Sequence, residues 1–274
     1  MTADRASSPL APLRQRVFAV LWAATVIGNT GSFMRDVASA WLAADLTGSP
    51  AAVASVQAAA TLPVFLLAIP AGVLADIVDR RKLLILIQLL MGGASLSLAL
   101  LAAWGLLTPA ALIGLTFIAG IGAALMGPAW LSIVPELVER KELRSAVALN
   151  SLGVNIARSI GPAGGGLLLA AFGAALTYLI DVLTYAFVLG ALLWWRRPAR
   201  ADDALAEHFP GAFRAGLRFA RASSDLRRTL FRAALFFPFG AAIWARCPEI
   251  SRPSMISCAP AMLAALIVGS VVFA

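Results

Sequence analysis

Six predominantly apolar runs, at residues 17–46, 51–78, 83–107, 110–134, 147–172 and 174–195, follow one another with only short polar breaks between them. As helices rising 1.5 Å per residue, even the shortest would reach about 33 Å, enough to cross the roughly 30 Å hydrocarbon layer of a bilayer. Inside lipid every backbone N–H and C=O must find its partner within the protein, and for runs of this length that leaves the helix. Composition agrees, since 61% hydrophobic and 13% charged residues leave too little polar surface to dissolve a 274-residue globule. The expected fold is an all-α integral membrane protein with a six-helix bundle over residues 17–195.

The cations fix how these runs are threaded. Arg14 and Arg16 precede the first run, Arg80, Arg81 and Lys82 follow the second, Arg140, Lys141 and Arg144 follow the fourth, and Arg196, Arg197 and Arg200 follow the sixth. The alternate turns, 47–50, 105–109 and the vicinity of Gly173, contain no Lys or Arg. By the positive-inside rule both ends of the bundle, residues 1–16 included, are expected in the cytoplasm of a cell that carries the protein in its inner membrane. The net charge of +8 is then a topology signal and asks for no nucleic-acid partner. The first run is longer than a signal peptide and lacks a suitably placed small-residue cleavage site, so it is expected to be retained.

Beyond Trp195 the pattern changes. Residues 196–228 are rich in Arg and Asp, and Phe213, Leu217 and Ala220 recur at helical spacing opposite Arg214, Arg218 and Arg221. That spacing suits an amphipathic helix on an anionic leaflet or, equally, a solvated linker helix. A seventh apolar run at 229–245 would re-enter the membrane, and the Cys, Pro and Arg content of 246–274 departs from what precedes it. Both cysteines, Cys247 and Cys258, fall in that tail and say nothing of redox compartment.

Ionisable side chains inside the runs carry the functional signal. Arg35, Asp36, Arg158 and Asp181 each stand where a charge is disfavoured by about 2.5–3.5 kcal/mol at mid-bilayer, unless it faces protein or water. Polar residues accompany them at helical spacing: Thr25, Asn29, Ser32 and Asp36 in the first run, Ser151, Asn155 and Arg158 in the fifth, Thr177, Asp181 and Thr184 in the sixth. Three such stripes are expected to converge on a shared wet interior, a pathway for a solute or for protons with Asn29, Arg35, Asp36, Asn155, Arg158 and Asp181 along it. The competing expectation is that Asp36 or Asp181 only neutralises Arg35 or Arg158 and holds the bundle together.

Two further spacings point to conformational change. In Gly72-Val-Leu-Ala-Asp76-Ile-Val-Asp79-Arg80-Arg81-Lys82 a carboxylate four residues after a glycine sits at the mouth of the second span, with a basic cluster next to it. Asp76 there can accept from an arginine or a helix N-terminus and act as a releasable latch, whereas simple interfacial anchoring explains the arginines alone. In the fifth run, Gly161-Pro162-Ala-Gly-Gly165-Gly166 combines a proline, which frees a backbone carbonyl, with a small-xxx-small face that allows close helix packing.

These residues resemble the major facilitator superfamily, most closely its enterobactin-exporter-like and macrolide-efflux-like branch. The Gly72 to Lys82 stretch is similar to the loop motif after the second helix of that superfamily, with Asp79 where glycine is usual and Ile77 where a basic residue is usual. Gly161-Pro162 with Gly165-Gly166 resembles the fifth-helix motif of antiporter-type exporters. Asn29, Gly31, Met34, Arg35, Asp36 and Trp41, with Gly127-Pro128-Ala129-Trp130 and Pro135-Glu136-Leu137, are similar to the first helix and fourth-helix exit of the branch. The resemblance runs from about Leu13 to about Ala245, and past that point the sequence looks like an altered reading frame or a truncated gene.

What the resemblance implies is a secondary transporter that works by alternating access, with proton-coupled efflux of a small amphiphilic molecule such as a drug or siderophore. A complete member has two six-helix halves. The helices that would receive Asp76 and the Gly161–Gly165 face are then expected in a half this chain lacks, which leaves a non-transporting remnant or a half-size partner, completed by a second half or a homodimer, as the alternative. An enzyme is not expected: the chain has one histidine, His208, no Cys/His or HExxH grouping, and nothing that asks for a cofactor or metal. Phe33, Trp41, Phe65, Trp130 and Tyr178 are available to stack on a substrate or to face lipid.

Overall fold

The computed structural model describes residues 9–195, apart from the side chains of Ile69, Asp76 and Ile77. The expected linker helix, seventh span and tail at 196–228, 229–245 and 246–274 lie outside the described residues, as do residues 1–8 of the N-terminal segment. A short 3-10 turn at Ala11–Arg14 leads into α1 (Arg16–Thr47), α2 (Pro50–Ile77), α3 (Arg80–Ala103), α4 (Pro109–Leu137) and α5 (Leu143–Trp194), with a second 3-10 turn at Arg140–Glu142 before α5. Among the described residues there is no strand.

Local chemistry explains the boundaries. Pro50 and Pro109 open α2 and α4 at positions where a missing N–H is harmless. Thr108 caps α4 by accepting from the Ala111 N–H at 3.2 Å, and Asp79 caps α3 by accepting from the Lys82 N–H at 3.0 Å. Gly48 closes α1 in the left-handed region at φ 60°. Helix α5 contains 52 residues, about 78 Å if straight, and cannot be one membrane span. It is broken at Gly173, whose φ of 80° and ψ of 177° belong to a region only glycine visits freely. The expected fifth and sixth spans are therefore the two arms of α5, residues 143–172 and 174–194, joined by one residue with no loop.

The neighbours of α1 show how the arms run. Along the first arm, Leu149, Gly153, Gly161 and Gly165 meet Trp22, Val26, Phe33 and Met34 in ascending order, so this arm is parallel to α1. Along the second arm the order reverses, with Gly28 against Val188, Ser32 against Tyr185, Arg35 against Asp181 and Ser39 against Tyr178. Helix α1 is thus held between two antiparallel arms of one element, while α2 packs on α4 and α3 contacts both α4 and α5.

Two apolar clusters flank the middle of the bundle. One gathers Phe18, Leu21, Leu84, Ile87, Ile133, Val134 and Leu192 toward the basic end, and the other gathers Ala38, Val56, Leu98, Leu112 and Tyr178 toward the opposite end. The outside is apolar as well: Phe65, Leu66, Leu86, Leu89, Leu167 and Leu183 are each at least half exposed. A surface of this kind matches lipid and not water, as the composition requires.

Candidate functional site

Between the two apolar clusters lies a polar ladder that joins α1 to the second arm of α5. The Arg35 guanidinium donates to the Tyr185 hydroxyl at 2.9 Å, to Asp36 Oδ1 at 3.0 Å and, at the longer distance of 3.5 Å, to Asp181 Oδ2. From α3, Ser95 donates to the same Asp181 oxygen at 2.6 Å, a length typical of a hydroxyl on a carboxylate. Ser32 meets the Tyr185 hydroxyl at 2.9 Å and Ser39 meets that of Tyr178 at 3.1 Å, one rung on each side of Arg35. The close approach depends on Gly31, since a Cβ there would lie 2.3 Å from Thr184 Oγ1 and 2.8 Å from Asp181 Oδ1. That Oδ1 is buried and has no hydrogen-bond partner among the described residues.

Arg35 joins two environments. Side chains of Arg35 and Asp181 are 7% and 0% exposed, whereas that of Asp36, the next residue of α1, is 47% exposed. One guanidinium therefore pairs with a sequestered carboxylate and an accessible one at once. Removing one partner of a buried pair typically destabilises by about 3–5 kcal/mol, because a charge is left unpaired out of water.

The accessible side is a polar strip. Asn29, Phe33 and Asp36 share one face of α1, with Asn29 and Phe33 half-buried and Asp36 exposed. Beside them the first arm of α5 exposes Ser151, Asn155, Arg158, Ser159 and Pro162, while its opposite side buries Gly153, Ala157, Gly161 and Gly165 against α1. Arg158 lies over the Phe33 ring, 5.9 Å from guanidinium carbon to ring centroid. Asn155 donates to its own helix, to the Ser151 carbonyl at 2.9 Å.

The expected convergence of three stripes on one space is thus replaced by two groups on opposite sides of α1. Arg35, Asp36 and Asp181 come together as an ion-paired cluster, and Asp181 packs behind α1 instead of beside Asn155 and Arg158. Helical spacing reports that residues share a face of their own helix but not which neighbour that face meets, and α1 separates the two faces here. Tyr185 and Ser95 are not among the expected site residues, and Tyr178, expected to stack on a substrate or face lipid, is instead fully buried with its hydroxyl on Ser39. Tyr178 and Tyr185 continue the Asp181 stripe at i−3 and i+4 and were legible in principle, whereas a lone serine in α3 gives no signal.

At the basic end the starts of α1, α3 and α5 and the ends of α4 and α5 are tied by side chains. Arg80 donates to the Ser132 carbonyl at 3.0 Å and pairs with Glu136 near the end of α4. Arg81 donates to the carbonyls of Leu192 and Leu193 at 2.9 Å each, capping the final turn of α5 with a cation where the helix dipole favours one. Gln15 donates to Glu142 at 3.0 Å. The basic clusters of the described residues therefore do share one end. Of the expected gating residues, Asp79 starts α3 and Arg80 and Arg81 clamp neighbouring helix ends; Gly72 has open space around it, and the Asp76 side chain lies outside the described residues.

The expectation that the Gly161–Gly165 face awaits helices in an absent half is corrected by α1 of this chain. A Cβ on Gly161 would come within 2.5 Å of Phe33 Cβ, and one on Gly165 within 2.7 Å of Met34 Cα. Pro162 and Gly166 turn to the open side, Gly166 with nothing nearby.

Residues 7–274 match the family of transmembrane secretion effectors within the major facilitator superfamily. The chain belongs to that family. The match extends to residue 274, past Ala245, near which the resemblance is expected to end. Among curated relatives, the staphyloferrin A transporter of Staphylococcus aureus is 30% identical over 128 residues, 45% of this chain and 32% of the relative. The multidrug efflux pump Tap of Mycobacterium tuberculosis is 26% identical over 185 residues, 65% of this chain and 44% of the relative, and Tap of Mycobacterium bovis matches to the same extent. The chain spans less than half the length of these relatives.

Proposed function

We propose that this secretion effector contributes a six-span bundle to a secondary transporter that exports a small amphiphilic molecule, a drug or siderophore, by alternating access and in exchange for protons. It is placed in the inner membrane with the basic end and N-terminus in the cytoplasm, from the distribution of Lys and Arg. The names of the relatives, a siderophore transporter and a multidrug efflux pump, support the substrate range. The observation that carries the reading is Arg35, bound at once to the exposed Asp36 and the buried Asp181. Protonation of Asp36 releases one of the guanidinium's two charge partners and shifts the load onto Asp181, Tyr185 and Ser95. A charge change on the accessible side thereby alters the packing between α1, α3 and α5, which is what coupling requires.

The test is efflux from cells or proteoliposomes carrying the protein, with and without a co-expressed second half, across imposed pH gradients. Asp36→Asn is expected to leave substrate binding in place and to abolish the dependence of efflux on the gradient. An unchanged proton dependence removes Asp36 from coupling. Efflux only with the co-expressed half identifies a half-size partner, and absence of efflux in both formats, from a correctly inserted chain, favours a non-transporting remnant.

A further inference from the structure

Arg158 poses a question that the ladder does not answer. It is the sixteenth residue of the 30-residue arm 143–172 and so stands near mid-membrane. An arginine side chain reaches only part of the way from there to either interface, and its charge needs water, protein or a bound anion around it. The structure gives it no carboxylate among the described residues: Asp36, Asp181, Glu136 and Glu139 are the acids in its ion pairs, and none is held by Arg158. The nearest acid along α1, Asp36, is one turn from Phe33 and already has the Arg35 guanidinium at 3.0 Å. The Arg158 guanidinium lies over the Phe33 ring at 5.9 Å and is exposed, as are Asn155 and Ser159 on the same arm.

We infer that Arg158 and Phe33 form a subsite for the acidic group of the exported molecule, a carboxylate attached to an aromatic or apolar body. The planar fork matches a carboxylate with two parallel hydrogen bonds, and the neighbouring ring offers an apolar surface beside the pair. The apolar body would lie along Phe33 and the exposed Pro162, where the helix offers no competing charge. This inference deepens the transporter reading and rests on it for the word exported; the binding itself is measured without transport.

Equilibrium dialysis of the detergent-solubilised full chain with naphthalene-2-carboxylate and the uncharged, nearly isosteric naphthalene-2-carboxamide tests it. The carboxylate is expected to bind at least tenfold more tightly. Arg158→Gln brings the two probes within twofold of one another, and Phe33→Leu weakens both, since both lay the same ring system along Phe33. Where Arg158→Gln fails to give a monodisperse protein, Arg158→Lys decides, because it keeps the charge and loses the fork: a fivefold or greater loss of preference supports the subsite, and an unchanged preference overturns it. Equal binding of both probes by the wild-type chain, or a preference that survives Arg158→Gln, also overturns it. A chain that prefers the carboxylate yet moves nothing refutes the transporter reading alone; a chain that exports without this preference refutes the subsite alone.

Discussion

Gly165 and Gly166 are adjacent in α5, both helical, and differ in what surrounds them, so alanine at each separates packing from backbone preference. A Cβ on Gly165 would lie 2.7 Å from Met34 Cα, 3.0 Å from the Met34 carbonyl oxygen and 3.1 Å from Met34 Cβ. The first two contacts are backbone and cannot swing aside, so α1 and the first arm of α5 must move apart by about 1 Å to restore an ordinary carbon contact near 3.5–4.0 Å. A gap of that size forfeits a quarter to a half of each pairwise attraction along the interface, and overpacking of this kind destabilises by about 1–3 kcal/mol. Alanine's better helix propensity returns about 0.8–1.0 kcal/mol. The net for Gly165→Ala is a loss of up to about 2 kcal/mol. At Gly166 nothing lies within 4 Å, so only the propensity gain of up to about 1 kcal/mol applies. Reversible unfolding in mixed micelles, titrated with SDS and followed by tryptophan fluorescence, measures both. Equal midpoints for the two variants, or a stabilised Gly165→Ala, would refute the close α1–α5 packing.

Other expectations are as direct. Gly173→Ala meets no neighbour but places a side chain at φ 80°, ψ 177°, and is expected to destabilise by about 1–3 kcal/mol in the same titration. Arg81→Ala releases the carbonyls of Leu192 and Leu193, and hydrogen exchange should show faster opening of the final turn of α5, with little change in α1. Tyr185→Phe keeps the ring and removes the hydroxyl that accepts from Arg35 and meets Ser32; a loss of about 1.5–3 kcal/mol is expected, and a smaller loss would show that Asp36 and Asp181 alone hold the guanidinium.

Much of this fold is legible from length and charge alone. The observed helices α1 to α4 coincide with the first four apolar runs to within a few residues, because a bilayer sets both a minimum length and a requirement for continuous hydrogen bonding. The basic clusters likewise assign ends, and Arg80, Arg81 and Gln15 do meet partners across that end. What the sequence leaves open is the third dimension. Asp181 and Arg158 carry equal weight in a hydropathy profile, yet one is sealed behind α1 by Ser95 and Tyr185 and the other stands open beside Phe33. Only the placement of α1 between the two arms of α5 separates them, and no periodicity within one helix encodes that placement. The junction at Gly173 is a middle case: absence of Lys and Arg marks a turn there, but a turn of a single residue follows from glycine's freedom at that φ and ψ and not from hydropathy.

Because Ser32, Arg35 and Ser39 all reach partners on the second arm of α5, the rotational setting of α1 is pinned. Turning α1 about its axis by even one residue, 100°, would carry Arg35 away from Asp181 and Tyr185 and sever Ser32 and Ser39 from the tyrosines that face them. Any large movement of this bundle must therefore carry α1 and the second arm of α5 together as a single lever, with hinging left to elements that the ladder does not stitch.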